Sequence, residues 1–369
     1  MSTLGLRRLA LAIAAPALAI VFALVISSVV LLAVGSNPID TYREMFLHSL
    51  KLETQIDILN RATPLFLAGV AAAIAFRMNL FNIGVEGQYV LAAFLTAVVG
   101  AKLDLPAPLH VFMIILVAVL VGAAWSGFAG LMFVTREVNI VISTIMLNAL
   151  AVLGIVAALF PVFLDETDAA TAGTKAIASS GQLPNMNGII ELVTREIGKG
   201  RELTSVLLIA IAVGIVFQIV VDRTRFGYDL RASGLNPFAA RAAGVPPKRM
   251  VMIAMIASGA IAGLVGLPQI LSDNHAFDSG FVFGLGFAGI AIALLGRNGA
   301  AGMAVAALVF GFLDSTAGIL QLRGVASPAI VIIMQGTVLL AAVVAYEVVN
   351  RIKLQDEIRR ASEISGVTA

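Results

Sequence analysis

Two carboxylates, Glu86 and Asp314, interrupt long apolar runs of the sequence. A charged group at membrane depth costs about 3 kcal/mol on insertion scales, so each of them needs a cavity or a partner. There it could titrate, line a polar pathway or anchor a neighbouring helix. For Glu86, pairing with Arg77 across the short turn at 77–82 is as well supported as contact with a solute. For Asp314, pathway lining and a hydrogen bond to a neighbouring helix are equally supported.

Amide side chains occur in the same kind of sequence, at Gln88, Asn148, Gln269 and Gln335. An amide both donates and accepts hydrogen bonds, which is what sugar hydroxyls and the edges of nucleobases require of a binding site. The same groups also join helices to one another inside a membrane. Together with the two carboxylates they form the set of pathway candidates: Glu86, Gln88, Asn148, Gln269, Asp314 and Gln335.

The sequence holds none of the usual signatures of covalent, metal or nucleotide chemistry. It has no cysteine, no G-x-x-x-x-G-K-[ST] phosphate loop, no H-E-x-x-H zinc pair and no G-x-S-x-G nucleophile elbow. The three histidines, His48, His110 and His275, are scattered near outer loops and are interpreted as ordinary exposed polar residues. We therefore expect no catalysis, no metal and no cofactor in this chain. A membrane enzyme for lipid-linked substrates would need an acidic or histidine cluster, which the sequence lacks.

Composition indicates the environment in which these side chains lie. Hydrophobic residues make up 60% of the 369 residues, and only 12% are charged, against about a quarter in ordinary soluble domains. One soluble core cannot bury that much apolar surface. A soluble enzyme, a disordered chain and a nucleic-acid binder are excluded, and the net charge of +2 gives no support for nucleic acid as a partner. The class is an all-α, polytopic membrane protein in contact with membrane lipid.

Ten apolar runs of about the length of a membrane span follow one another along the chain. They lie at 9–34, 62–77, 84–101, 109–134, 138–160, 203–221, 251–271, 281–295, 299–320 and 327–349. The first is too long for a cleaved signal peptide and predicts a retained N-terminal anchor helix. The runs at 62–77 and 281–295 are short, as in tilted, broken or re-entrant helices. The sequence predicts one transmembrane domain over 1–369 with ten helices, nine or eleven being the alternatives.

The distribution of lysine and arginine orients these helices. With both termini in the cytoplasm, the inner loops and tails receive 15 of the 24 basic residues. The outer side then holds the stretches 35–60 and 161–202, which include a short amphipathic segment at 189–197. The inner side holds the long loop 222–250 and the tail 350–369.

A weak internal repeat relates the two halves of the chain. The pattern F-x-x-G-x-x-G at 81–87 recurs at 283–289, Arg-x-Val at 136–138 recurs at 323–325, and Ala-Gly at 68–69 recurs at 262–263. In the ten-helix topology, helices 2–5 (62–160) begin outside and helices 7–10 (251–349) begin inside, so the repeats are inverted. Inverted repeats around a site at the midplane are a transporter architecture. The alternative is a chance match between glycine-rich apolar segments.

The inner loop 222–250 has six basic and two acidic residues. Asn236 is well placed to cap a short helix, and Pro237 suits the first turn of that helix. The alanine-rich segment 239–243 favours the helix, and Gly244 can end it. We expect a small-faced helix that a partner protein can approach closely. A basic membrane-surface loop explains the charge but not the capped helix.

This loop resembles the coupling loop of ABC importer permeases. The string R-A-S-G-L-N-P at 231–237, with A-A-R at 239–241 and Gly244, is similar to the version in the branched-chain amino acid, ribose and nucleoside permease family. Phe238 stands where the general motif has Glu. F-N-I-G-V-E-G-Q at 81–88 resembles a signature of the nucleoside and simple-sugar members. The resemblance covers about 62–349 and assigns ATPase contact to Arg231, Asn236, Pro237, Phe238, Ala239, Ala240, Arg241 and Gly244.

The resemblance implies a permease subunit in a bacterial cytoplasmic membrane that imports nucleosides or a related sugar-like solute. It implies a tandem-domain ATPase, which holds ATP and Mg²⁺, a second permease chain or a second copy, and an extracytoplasmic substrate-binding lipoprotein. Replacement of Asn148 or Gln335 by Leu is then expected to impair uptake without loss of assembly. The alternative is a secondary transporter driven by ions, with Asp314 or Glu86 as the titrating carboxylate.

Overall fold

The structure, a computed structural model, describes residues 21–165, 172–188, 201–324, 327, 329–341, 344 and 351. Within these ranges the regular elements are helices, and β-type pairing is confined to isolated bridges, Leu164 with Thr174 and Gly173 with Asp278. Residues 9–20 of the predicted anchor, the segment 189–197 and the tail from 352 lie outside the described residues. The predicted all-α class is confirmed for the part that the structure describes.

The helices are numbered here in chain order. They are α1 (Val21–Ala33), α2 (Pro38–Ser49), α3 (Leu52–Arg77), α4 (Val85–Gly100), α5 (Ala107–Arg136), α6 (Ile140–Phe163), α7 (Val206–Arg223), α8 (Arg225–Leu235), α9 (Pro237–Ala242), α10 (Pro247–Gly263), α11 (Leu285–Leu295), α12 (Ala300–Leu322) and α13 (Ala329–Ala341). Within α6, Leu150–Val156 is a π-helical segment. A further π turn, Gln269–Asp273, follows α10.

Several of these helices can cross a membrane. Among the described residues, α3, α5, α6, α7 and α12 are long and apolar enough, and the pair α1–α2, bent by 116°, would make a sixth span. The helices α4, α11 and α13 are apolar but shorter. The chain is therefore a multi-pass membrane protein, while the count of ten spans, the side of each terminus and the single domain over 1–369 stay predictions.

The N-terminal third differs from the sequence-based assignment. The stretch 35–60, predicted as an outer loop, contains α2 and the first turns of α3, so the run predicted at 62–77 is a helix of 26 residues. Asn37 caps α2 by accepting a hydrogen bond from the Ile39 N–H at 3.0 Å. The polar residues Glu53, Thr54, Gln55 and Asp57 lower the local hydropathy without breaking the helix, so hydropathy alone places its start too late.

Residues Leu52–Phe312 form one compact unit. Its closest helix crossing joins α5 to α10, where a Cβ atom at Gly259 would lie 2.9 Å from the carbonyl carbon of Gly122. Beside it, the Ser126 hydroxyl donates to the Met255 carbonyl oxygen at 2.7 Å. Small residues four apart allow the two backbones to approach this closely. Inside a membrane the hydrophobic effect does not hold helices together, so such close packing is what drives their association.

His110 lies in this unit and corrects one interpretation. It was expected to be an exposed polar residue, but its side chain is fully buried. Its Nδ1 lies 2.8 Å from the Ser180 hydroxyl and its Nε2 lies 2.9 Å from the Gly100 carbonyl oxygen. His110 thus joins the end of α4 to the segment 172–188.

The other unit is drawn from the two ends of the chain, residues 1–51 and 313–369. Among its described residues, Arg323 forms an ion pair with Glu44. The Gln335 amide donates to Asp314 Oδ1 at 2.7 Å. Two pathway candidates, one on α12 and one on α13, are therefore bonded to each other.

Candidate functional site

The N-terminus of α4 lies inside the protein, and a side chain from another helix caps it. Gly84 occupies the cap position and has no side chain to accept from the first N–H groups. Asn148 on α6 supplies the acceptor, since its Oδ1 accepts from the Gly87 N–H at 2.8 Å. Its Nδ2 donates to the Ile83 carbonyl oxygen at 2.7 Å. Both the oxygen and the nitrogen of this buried amide therefore hydrogen-bond to the turn that begins α4.

Glu86, on α4, likewise caps the N-terminus of another helix, α11. Its Oε1 accepts from the Gly284 N–H at 2.6 Å, and its Oε2 accepts from the Gly286 N–H at 2.9 Å. The carboxylate is buried and faces the positive end of the α11 dipole, where negative charge is stabilised. The Tyr89 hydroxyl lies 3.2 Å from Glu86 Oε1. The predicted pairing with Arg77 is not made, because that guanidinium donates to the Asn298 carbonyl oxygen at 2.8 Å.

Gln88 belongs to a second buried network. Its Nε2 donates to Asn82 Oδ1 at 3.0 Å, and the Asn82 amide donates in return to Gln88 Oε1 at 3.2 Å. Asn82 also donates to the Ser258 hydroxyl at 2.9 Å, and Ser258 donates to the Ala71 carbonyl oxygen at 2.6 Å. These bonds join α3, α4 and α10 at one point. Asn82 and Ser258 were not among the predicted site residues, although Asn82 lies within the motif at 81–88.

The remaining candidate, Gln269, holds a loop before α11. Its Nε2 donates to the Gly280 carbonyl oxygen at 3.3 Å and its Oε1 accepts from the Val282 N–H at 3.2 Å. All six pathway candidates thus hydrogen-bond to other groups of the protein. The structure brings Glu86, Gln88 and Asn148 together around the start of α4, whereas Gln269 bonds to the loop before α11. Asp314 and Gln335, in the other unit, bond to each other. Their role in a pathway stays a prediction.

The predicted helix of the inner loop is present as α9. Asn236 Oδ1 accepts from the N–H groups of Phe238 at 3.1 Å and Ala239 at 3.0 Å, with Pro237 in the first turn. At the other end Gly244 has φ +85°, a left-handed conformation that favours glycine. The N–H of Gly244 donates to the Arg241 carbonyl oxygen at 3.0 Å and that of Val245 donates to the Ala240 carbonyl oxygen at 2.9 Å, and together these bonds form a Schellman motif. Local sequence signals at both ends fixed this element.

The eight residues predicted to contact the ATPase differ in their exposure to solvent. Ala240 is buried against the protein, whereas Phe238 is 83% exposed, and so is Leu235 just before it, at 87%. Arg241 is exposed, but Arg231 turns inward to the Val221 carbonyl oxygen. Asn236, Pro237, Ala239 and Gly244 are exposed. Two large apolar side chains on a basic, exposed loop are typical of a protein-binding surface.

Comparison with known proteins identifies the family. Residues 55–343 match the family model described as the permease component of the branched-chain amino acid transport system. A glucose ABC transporter permease protein of Haloferax volcanii is 31% identical over 89% of this chain and 87% of its own. A nucleoside ABC transporter permease protein of Lactococcus lactis is 30% identical over 82% and 83%. A guanosine ABC transporter permease protein of Bacillus subtilis is 32% identical over 70% and 71%.

The family match covers more than half of the chain, and it runs from the first turn of α3 through α13, with the capped helix α9 inside it. It decides against the ion-driven secondary transporter, since members of this family work with a separate ATPase subunit and a substrate-binding partner. The chain is therefore not itself an enzyme. It belongs to the branched-chain amino acid transport system permease family, and it is the permease subunit of an ABC transporter.

Proposed function

We propose that this permease imports nucleosides, or a related solute that contains a sugar ring, across the bacterial cytoplasmic membrane. The support comes from the relatives, of which one is named for nucleosides, one for guanosine and one for glucose. A nucleoside contains a sugar ring, so similar hydrogen-bonding and apolar surfaces suit both kinds of solute.

The observation that carries the coupling role is the exposure of Phe238 on α9. An apolar side chain that contacts solvent in the free chain, on a rigidly capped helix, is suited to a groove on a partner protein. The partner is a tandem-domain ATPase, which holds the ATP and Mg²⁺. Arg241, exposed on the same helix, faces acidic groups at the rim of that groove. The loop 222–250 is then cytoplasmic, and both termini lie on the same side.

The inverted repeat receives support from the glycines of the repeated pattern. A Cβ atom at Gly87 would lie 2.8 Å from Asn148 Cα, and one at Gly289 would lie 2.6 Å from the carbonyl carbon of Ala68. Each of these glycines thus allows another backbone to approach the start of a short helix. The two helices, α4 and α11, meet at Glu86. Short helices with facing N-termini are a common device of transporter pathways.

The polar side chains around α4 then act by holding helix ends in place. Glu86, Gln88 and Asn148 use their hydrogen bonds within the protein, so they shape the pathway without contacting the solute. The solute is delivered by an extracytoplasmic binding lipoprotein, and a second permease chain or a second copy completes the pathway.

Ligand identification on the cognate binding protein tests the solute. Thermal-shift screening with nucleosides, simple sugars and amino acids should give its largest shift with a nucleoside. Uptake of radiolabelled guanosine by the reconstituted transporter should then require ATP and the loaded binding protein. A binding protein stabilised by amino acids alone would contradict the proposal.

A further inference from the structure

A group of charged and polar side chains joins α8, the helix that leads into α9, to the helices α3, α7 and α12. Asp222, at the end of α7, lies with its Oδ1 3.8 Å from Arg231 Nη1 on α8 and 3.9 Å from Arg77 Nη2 at the end of α3. The Gln218 amide donates to the other oxygen of the same carboxylate. One carboxylate therefore lies between two guanidinium groups from different helices.

The same group extends to the start of α12. Gln218 Oε1 accepts from the Ala300 N–H at 2.9 Å, and Arg77 donates to the Asn298 carbonyl oxygen at 2.8 Å. The ends of α3 and α7, the first turns of α8 and the start of α12 are thus fixed to one another through Asp222 and its neighbours.

A second contact connects α8 with the turn that precedes α4. A Cβ atom at Gly234 would lie 2.6 Å from the carbonyl carbon of Met78, so no side chain fits between α8 and this turn. Leu230 and Ser233, on the same face of α8, are buried. The turn ends at Asn82, which belongs to the network with Gln88. Packed backbone thus connects α8, which leads directly into α9, with the turn before α4.

We propose that Asp222 is a positioning residue that transmits movement of the coupling helix α9 to α3, α7 and α12. This proposal rests on the assignment of α9 as the ATPase contact. The side chains of Asp222, Arg231 and Arg77 are 38%, 34% and 23% exposed, and pairs of this exposure contribute little to stability. We therefore expect Asp222→Asn to leave the protein folded. Asp222 lies at the end of α7 and is not on α9 itself, so we expect Asp222→Asn to keep the ATPase bound.

The test uses the full transporter, co-expressed with its ATPase and binding protein and reconstituted into proteoliposomes. Asp222→Asn should assemble and retain the ATPase, but stimulation of ATP hydrolysis by the loaded binding protein and uptake should both fall about tenfold, the usual size of coupling between sites. Asp222→Glu, which keeps the charge, should restore most of the stimulation. Asp229→Asn, the same change on α8 at a residue that no described residue pairs with, should behave as the parent protein.

Two results would overturn the proposal. Parental stimulation and uptake in Asp222→Asn would show that the group transmits nothing. Loss of the ATPase from purified Asp222→Asn would place Asp222 in the docking surface and not behind it. Failure of the α9 assignment is detected separately, because Phe238→Glu would then retain the ATPase whatever Asp222→Asn does.

Discussion

Glu86 Oε2 accepts a hydrogen bond from the Gly286 N–H at 2.9 Å, across 200 residues of sequence. A carboxylate that was a candidate for solute or proton binding is thereby the cap of a second helix. The N-terminus of a buried helix has no water to satisfy its N–H groups, so removal of the acceptor leaves those donors unpaired.

Glu86→Ala should therefore destabilise the protein by about 2–3 kcal/mol, the usual cost of losing a charge-assisted buried acceptor. The measurement is thermal unfolding of the purified protein in detergent. Glu86→Gln keeps one acceptor oxygen and should lose about half as much. Glu53→Gln, an exposed site on α3, is the control and should leave the midpoint unchanged. An unchanged midpoint in Glu86→Ala would show that the cap is dispensable.

Asn148→Leu should reduce stability and uptake together. The variant loses the acceptor for the Gly87 N–H and the donor to the Ile83 carbonyl oxygen, at about 1–3 kcal/mol for the groups left unpaired. Asn148→Asp keeps the acceptor alone and should be intermediate. The measurements are the unfolding midpoint and the initial rate of uptake. A Leu variant as stable as the parent, with uptake lost, would return Asn148 to the pathway.

Gly259→Val should prevent the close crossing of α5 and α10, because its side chain would overlap the backbone of Gly122. We expect a loss of about 3 kcal/mol or failure to accumulate in the membrane. Gly318→Ala on α12 is the control, since among the described residues no atom outside its own stretch of helix lies within 4 Å of its Cβ position. It should be neutral or slightly stabilising, as expected for alanine in a helix. Normal accumulation of Gly259→Val would contradict the observed crossing.

Gly244→Val should weaken ATPase association without unfolding the membrane helices. Space around Gly244 is open, so its left-handed φ of +85° is what a β-branched residue opposes. The local cost of this conformation for valine is about 1–2 kcal/mol. If the ATPase binds α9 only when the helix ends in this turn, that cost corresponds to about a tenfold loss of affinity for the ATPase. Asn tolerates this conformation, so Gly244→Asn should lose less. If titration with the ATPase gave the same affinity for Gly244→Val as for Gly244→Asn, the left-handed turn at Gly244 would not be needed for ATPase binding.

The features that could be predicted from the sequence are those determined by residues close to one another along the chain. The helix α9 follows from Asn236, Pro237 and Gly244, which act within one or two turns of themselves. The bond from Glu86 to Gly284 depends on where α11 packs, so sequence reasoning could offer only Arg77, the nearest cation along the chain, or a solute as its partner. Asp222 was missed for the same reason, since its partners come from α3 and α8. The start of α3 was missed because polar residues near Glu53 hide a helix from a hydropathy criterion.

The assignment of α9 as the coupling helix is best tested by asking whether the Phe238→Glu variant retains the ATPase. Phe238 is 83% exposed, so its replacement removes little packing from this chain and should leave membrane insertion and the unfolding midpoint unchanged. We expect that the ATPase no longer co-purifies with this variant and that uptake is lost, whereas Tyr228→Glu, at a 66% exposed aromatic residue on α8, retains both. Normal co-purification and uptake with Phe238→Glu would contradict the assignment of α9 as the coupling helix.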